Sequence, residues 1–270
     1  MATPPFIQLT PADVARGARR AVSGWWGIVR LSALLLEAAL TPSAYGAENR
    51  RALARHMVDD AAPVLAGFTV LTALLSLIVI RIVVVTALSY GLTQYALEMV
   101  VRVLVLELIP LTAALFAALR CTIPNAVEVA GLRVRQGWTL STRNGPDGRD
   151  PLRAEVLPRV AAGVFSALLL AAVSCAVTLV LAYLSVYGPV MSGLEAYTRT
   201  VGQIFNPGVS LIFGLKILFL ALAVALVPMA AALDEAPRTR RSMSAEVQGL
   251  VRMFLVILLI EAASLVGNYY

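Results

Sequence analysis

Residues 160–187 read VAAGVFSALLLAAVSCAVTLVLAYLSVY and contain no charged side chain. A helix needs about 20 mainly apolar residues to cross the hydrocarbon core of a bilayer, so this stretch alone is long enough to span one. The rest of the chain agrees, since 59% of its 270 residues are hydrophobic and only 14% are charged. Soluble domains carry roughly 25% charged residues. The sequence therefore predicts an integral membrane protein.

Four further apolar segments are long enough to be transmembrane helices. Two precede the quoted stretch, at residues 61–80 and 94–119, and two follow it, at 205–233 and 251–267. The first of them is free of charge, and each of the others contains one to three charged side chains. We therefore expect an all-α integral membrane protein with five transmembrane helices.

The basic residues are distributed unevenly between the connections. Eighteen of the 22 lie in residues 1–60, 120–159 and 234–252, while 88–93 has no charge and 188–204 has one arginine and one glutamate. Basic loops of membrane proteins stay on the cytoplasmic side. We therefore expect a cytoplasmic N-terminus and a C-terminus on the other side of the membrane. The net charge of +6 is then a feature of topology, and we expect no nucleic-acid partner.

Residues 1–60 form a basic region that precedes the five-span domain of residues 61–270. Thr10-Pro11-Ala12-Asp13 has the pattern of a helix start, with a hydroxyl cap, a proline and an acidic residue. Arginines and the paired Trp25 and Trp26 follow, a combination typical of an amphipathic helix that lies in the membrane interface. The alternative is a basic, partly ordered tail.

The segment 121–157, between the second and third spans, contains a second amphipathic pattern. Asn125 followed by Glu128 resembles a capping box, which predicts a helix from 125 to about 138 on the cytoplasmic side. Such a helix can transmit force from a soluble partner, or it can simply lie on the membrane. The residues that would couple to a partner are Asn125, Glu128, Leu132, Arg133 and Arg135.

Three charges lie at similar depths inside the second, fourth and fifth spans: Glu107, Lys216 and Glu261. A charge in hydrocarbon costs on the order of 2.5–3.5 kcal/mol by insertion scales, so such residues are functional candidates. Pro110 lacks an N–H and leaves the carbonyl of Leu106 free, which should kink the second span beside Glu107. We expect the three charges to face one another around a cavity and, with Pro110, to bind or gate a substrate. The alternative is an ion network that only fixes packing.

The remaining charges in or near the spans have simpler explanations. Glu98 and Arg102 are four residues apart on one helical face, which predicts a local ion pair. Arg81 can reach the outer interface as an anchor. Arg159 and Arg252 lie at cytoplasmic ends of spans, where a charge is ordinary.

The chain lacks the sequence motifs of a metal site and of an ATP-binding loop. The single histidine, His56, and the two cysteines have no metal-ligand spacing, so we expect no metal. A Walker A loop requires Gly-Lys before Ser or Thr, whereas Lys216 is the only lysine and follows Leu215. We therefore expect no enzyme activity and no cofactor in this chain, and any ATP must be bound by a partner subunit.

The order of these elements resembles the MlaE-type permeases, the membrane subunits of ABC lipid transporters of the maintenance-of-lipid-asymmetry system. The matching motifs, in order along the chain, are Leu106-Glu107-Leu108-Ile109-Pro110, Val127-Glu128, Asp150-Pro151, Pro158-Arg159-Val160-Ala161-Ala162, Lys216 and Glu261. The family has an arginine and a glycine where this chain has Leu106 and Ile109, so the resemblance is to a divergent member.

This resemblance implies a permease in the bacterial inner membrane that moves phospholipids to or from a periplasmic carrier with an MCE domain. It implies a C-terminus in the periplasm, a separate ATPase subunit docked on the 125–138 helix, and a second permease copy in a homodimer or a pair of paralogues. It leaves room for a small STAS-type cytoplasmic subunit.

Two other functions fit the same residues. An ion-coupled secondary transporter would use Glu107 and Glu261 as proton carriers, although the chain has no clear internal repeat of the kind that such transporters often show. A non-transporting membrane scaffold derived from a permease would keep the spans and lose the activity.

Overall fold

A computed structural model describes residues 25–38, 41, 47–92, 95–137, 150–233 and 243–269. These residues are almost entirely helical, and no strand occurs among them. In chain order the helices are α1 (25–38), α2 (Ala47–Ser89), α3 (Ala96–Gln136), α4 (Leu152–Tyr187), α5 (Leu194–Ile204), α6 (Pro207–Leu233) and α7 (Met243–Tyr269).

Five of these helices are long and apolar enough to cross a membrane, as the hydropathy of the sequence predicted. They are α2, α3, α4, α6 and the part of α7 from Gly249–Asn268. Because consecutive spans alternate in direction, the C-terminal ends of α3 and α6 and the N-terminal ends of α4 and α7 lie at one end of the bundle, which we call the basic end. The C-terminal end of α2 and helix α5 lie at the opposite end. The boundary that we drew at residue 60 falls inside α2.

Helix α3 differs most from the sequence-based expectation. We expected a separate helix that starts at Asn125, but the chain is helical without a break from the second span to Gln136. The capping-box interpretation is wrong because Thr122 already has helical dihedral angles and no side-chain cap is formed. Two stretches of α3, Val101–Leu108 and Ala118–Thr122, are π-helical. The helix stops where Gly137 adopts a left-handed conformation, with φ of 67°.

The helices pack through small and apolar side chains around α4. Alanines from α3, α4 and α6 share one buried cluster with Phe68, Leu170 and Met253. Small residues let helix backbones approach closely inside a membrane, where no water drives the helices together. Between α2 and α4, the buried hydroxyls of Ser76 and Thr178 are 2.9 Å apart and hydrogen-bonded. Large apolar side chains elsewhere on the spans, such as Ile78 and Leu258, face outward where lipid would contact them.

Helix α1 lies against the basic end of the bundle. Leu31, Leu35 and Ala38 are buried in a cluster with Val156 and Leu233, while Trp26 and Arg30 are exposed. The apolar face of α1 is thus covered by the bundle itself, and the position in the membrane interface stays a prediction. The helix start expected at Thr10–Asp13 lies outside the described residues.

A close contact between α3 and α4 gives a first prediction. A Cβ atom on Gly163 would lie 2.6 Å from the Thr122 methyl carbon, and the Thr122 hydroxyl donates to the Val224 carbonyl of α6 at 2.7 Å. The substitution Gly163→Ala should displace Thr122 and lower the free energy of unfolding by about 1–3 kcal/mol. The matched control is Gly131→Ala, since a Cβ there meets nothing within 4 Å. Alanine should stabilise that helical position by about 0.5–1 kcal/mol. Equal melting temperatures of the two variants in detergent would contradict the contact.

Candidate functional site

Three spans meet at the amino group of Lys216. Lys216 is on α6, and its Nζ donates to Glu261 Oε1 on α7 at 2.9 Å and to a carboxylate oxygen of Glu107 on α3. The Lys216 side chain is fully buried, and the two glutamate side chains are 15% and 18% exposed. The three charges that the sequence places at similar depths are therefore in direct contact. We call Glu107, Lys216 and Glu261 the charge triad.

The backbone of α3 supplies a third acceptor for Lys216. In an α-helix the carbonyl of Leu106 would accept from the N–H of residue 110, but Pro110 has none. The preceding turns are π-helical, and the N–H of Ile109 bonds the carbonyl of Leu104, five residues back. The freed Leu106 carbonyl accepts from Lys216 Nζ at 3.1 Å. Pro110 thus contributes to the site indirectly, because its missing N–H leaves the Leu106 carbonyl free to accept from Lys216.

The charge triad has spare hydrogen-bonding capacity. Among the described residues, neither Glu107 Oε1 nor Glu261 Oε2 has a hydrogen-bond partner, although both atoms are buried. One ammonium group therefore faces two carboxylates, and each carboxylate keeps one oxygen unused. An arrangement of this kind is costly in hydrocarbon, and it can exchange partners when a polar group enters.

A second cluster lies at the basic end and is centred on Arg159 of α4. Its guanidinium donates to Glu128 of α3 at 3.0 Å, to the Glu155 carbonyl at 2.9 Å, and to the Glu155 carboxylate. The residue is only 6% exposed. The expectation that Arg159 is an ordinary charge at the end of a span is therefore wrong, because α3 extends far enough to cover it.

Further bonds tie the extension of α3, residues 123–136, to its neighbours. Asn125 Nδ2 donates to Asp60 Oδ2 of α2 at 2.6 Å, and Arg133 Nη1 donates to the Leu233 carbonyl of α6 at 2.7 Å. Together with Glu128, these residues fasten the extension to α2, α4 and α6. Asn125, Glu128 and Arg133 thus contact the protein itself, and Leu132 is half-buried.

The opposite face of this extension is exposed. Val127 and Val134 are 58% and 53% exposed, and Arg135 is exposed beside Val134. Apolar side chains seven residues apart lie on one helical face. We call Val127, Val134 and Arg135 the docking face. Of the five residues expected to couple to a partner, Glu128 and Arg135 are exposed, and Glu128 is also paired with Arg159.

The sequence interpretation missed three residues that make polar contacts toward the basic end, Asp60, Thr122 and Glu155, and it misread Arg159. Asp60 is part of an Asp-Asp pair near an arginine-rich stretch, where a solvated acid is the ordinary reading. The one available signal was proline: Pro158 stands where α4 leaves its π-helical stretch Leu152–Val156, and Pro124 stands where α3 leaves its second π-helical stretch. In the described part of the chain, no group of three or more His, Cys, Asp or Glu side chains could hold a metal ion.

Comparison with known proteins gives one clear result. A family model described as Permease MlaE matches residues 53–266, which includes all five spans and both clusters. A comparison with curated proteins finds no match.

Proposed function

The chain belongs to the MlaE permease family and is thus a permease-type membrane subunit of a transporter, and from that premise we propose that it moves phospholipids as part of an ABC transporter. The lipid would pass between the bacterial inner membrane and a periplasmic carrier with an MCE domain. Family membership implies ABC transporter partners in general. The lipid substrate, the MCE partner and the inner membrane are our proposal.

The observation that carries the proposal is the continuity of α3. This helix holds Glu107 of the charge triad and, 27 residues later, Val134 of the docking face. At 1.5 Å per residue the two positions are about 40 Å apart along one helix. An ATPase bound at the docking face could therefore move the charge triad by moving a single element, whose two π-helical stretches are natural places for it to bend.

The charge triad suits a phospholipid headgroup. A phosphate entering between α3, α6 and α7 would compete with Glu107 and Glu261 for Lys216, and a headgroup amine would bind the carboxylates that Lys216 releases. Pro110 keeps the Leu106 carbonyl available to either arrangement. In this proposal Glu107, Pro110, Lys216 and Glu261 gate the lipid, and ATP is bound and hydrolysed by the separate subunit.

We place the basic end in the cytoplasm because arginine-rich connections remain on that side. The docking face then meets the ATPase, and a small STAS-type subunit could bind beside it. The N-terminus is cytoplasmic and the C-terminus periplasmic. A second permease copy, identical or paralogous, completes the transporter.

Disrupting the docking face should release the ATPase. The substitution Val134→Glu puts a charge into an exposed apolar position, so it should reduce co-purification of the ATPase subunit about tenfold, equivalent to about 1.4 kcal/mol of binding. The matched control is Thr198→Glu, an exposed position on α5 at the opposite end of the bundle. Affinity purification in mild detergent with quantitative mass spectrometry measures the ATPase and the bound lipid together. Equal ATPase recovery from both variants would contradict docking at this face.

Reconstitution separates this function from its two rivals. Lipid transfer that requires ATP and the co-purified ATPase supports the proposal. Transport that follows a proton gradient without ATP would favour an ion-coupled carrier that uses Glu107 and Glu261. No transfer of any lipid, with the ATPase bound and hydrolysing ATP, would favour a scaffold.

A further inference from the structure

Helix α7 carries a row of polar side chains that leads away from the charge triad. Glu261, Ser264 and Asn268 are three and seven residues apart, so they share one face of the helix and extend over about 10 Å. Asn268 lies one residue before the end of α7, at the opposite end of the bundle. The row therefore connects the buried charges with that surface of the protein.

Within the part of the chain that the structure describes, each of these side chains has at least one polar atom without a hydrogen bond. Glu261 Oε2, Ser264 Oγ and both amide atoms of Asn268 are buried, and among the described residues none of these atoms has a hydrogen-bond partner. Ser264 as a whole is only 6% exposed. Glu107 Oε1, on α3, adds a fifth such atom at the inner end of the row.

Several other hydroxyl groups in the spans bond their own helix, although Ser166 Oγ and Ser174 Oγ of α4 are buried without a hydrogen-bond partner among the described residues, as Ser264 Oγ is. Thr69 Oγ1 donates to the Leu65 carbonyl at 2.7 Å and Thr112 Oγ1 to the Leu108 carbonyl at 3.0 Å, so each bonds the preceding turn of its own helix. That bond is the usual way for a hydroxyl in a membrane helix to satisfy itself. The Ser264 hydroxyl makes no such bond, and it differs from Ser166 and Ser174 in lying on the same helical face as Glu261 and Asn268.

The row faces the interface between α7 and α6. A Cβ atom on Gly267 would lie 3.5 Å from Ile212 of α6, and one turn further along α6 is Lys216, which contacts Glu261. The polar atoms are thus enclosed between helices and not directed to lipid. Buried polar groups are almost always hydrogen-bonded, to protein or to ordered water.

We propose that Glu261, Ser264 and Asn268 line a file of water molecules that hydrates the charge triad from the end of the bundle where α7 terminates. Each water would find the two to four polar partners that a buried water needs. The file would let Glu107 and Glu261 exchange protons with that side of the membrane only. It would exist whatever the chain transports, since it depends only on α7 and its neighbours.

Cysteine labelling tests this water file. A membrane-impermeant thiosulfonate reacts with the thiolate, which forms only where water reaches the sulfur. We expect Ser264→Cys and Asn268→Cys to label at least about tenfold faster than Leu265→Cys, a difference of 1.4 kcal/mol in activation free energy. Leu265 is the matched control because it lies at the same depth on α7 and is 42% exposed on the lipid-facing surface. Burial within a dry protein would give the reverse order.

The side of access is fixed by a second control. Thr198→Cys, exposed on α5, labels from the end of the bundle at which α7 ends. Reagent added to that side of sealed vesicles should label Ser264→Cys, and reagent added to the other side should not. Labelling of the parent protein, which contains Cys121 and Cys175, is subtracted. Folding of each variant is checked by gel filtration and by complete labelling after denaturation.

Two results would overturn the proposal. If correctly folded Ser264→Cys and Asn268→Cys both label no faster than Leu265→Cys, the interface of α6 and α7 is dry. If Ser264→Cys labels only from the side opposite to Thr198→Cys, water reaches the charge triad from the basic end instead.

Discussion

The substitution Lys216→Met should abolish transport and lower the melting temperature by on the order of 10 °C. Lys216 is the only cation in contact with Glu107 and Glu261, among the described residues, and all three groups are largely buried. Removing one member of a buried ionic cluster leaves uncompensated charge and costs about 3–5 kcal/mol. For a chain of this size 1 kcal/mol corresponds to roughly 2–4 °C. Thermal unfolding in detergent and lipid transfer in proteoliposomes measure the two effects.

A neutral version of the charge triad separates stability from function. The triple variant Glu107→Gln, Lys216→Met and Glu261→Gln has no charge to leave unpaired, so its melting temperature should recover most of the loss. If the charges gate a substrate, transport stays absent in this variant. Transport at the parental rate would mean that the ions only fix packing. The same conclusion would follow if Lys216→Ala and Glu261→Ala transported normally while melting at lower temperature.

The substitution Arg159→Met should uncouple the cluster around Arg159 from the charge triad. It should lower the free energy of unfolding less than Lys216→Met does. Arg159 joins α4 to Glu128 on the extension of α3, and its side chain is 7% exposed. Its partners Glu128 and Glu155 are partly hydrated, so they tolerate the loss of their cation better than buried carboxylates do. We expect about 1–3 kcal/mol of destabilisation. The amount of lipid moved per ATP should fall severalfold, because the extension can then shift without moving α4.

The control is an ion pair at the opposite end of the bundle whose partners are four residues apart, as Arg159 and Glu155 are. Arg199 and Glu195 are four residues apart on α5 and 3.1 Å apart, but both side chains are largely exposed. Arg199→Met should change stability by no more than about 1 kcal/mol and leave coupling unchanged. If Arg159→Met and Arg199→Met behave alike in lipid moved per ATP, the link through Arg159 is not part of the mechanism.

The sequence predicted the spans well because hydropathy is a local property. The stretch 160–187 lies within α4, and all but the first two residues of 205–233 form α6; these helices end at Tyr187 and Leu233 as expected. The ion pair of Arg102 with Glu98 forms as the four-residue spacing predicted, at 2.9 Å, since both partners lie on one helix. Contacts within one helix depend only on its own periodicity.

Two elements were missed although the sequence contained their signals. The connection 188–204 was expected to be a loop and contains α5, whose Tyr197, Val201 and Ile204 repeat with helical spacing. That face packs on α4, where the Tyr197 hydroxyl donates to the Leu179 carbonyl at 2.8 Å. The second is the continuity of α3, where Pro124 and the polar Asn125 suggested a break. The helix tolerates Pro124 because the turns before it are π-helical. Their hydrogen bonds are shifted by one residue, so the missing N–H of the proline does not interrupt the helix.

The sequence by itself determined the number of spans, the arginine-rich end of the bundle and the depth of the three intramembrane charges. Each of these follows from transfer free energies that add up residue by residue along the chain. The tertiary structure alone decided that Lys216 meets both glutamates, that Arg159 is buried beneath α3, and that the polar atoms of Ser264 and Asn268 are buried. The rotation of each helix about its own axis fixes these contacts. That rotation depends on side-chain packing between segments that are far apart in the chain, which no local pattern records.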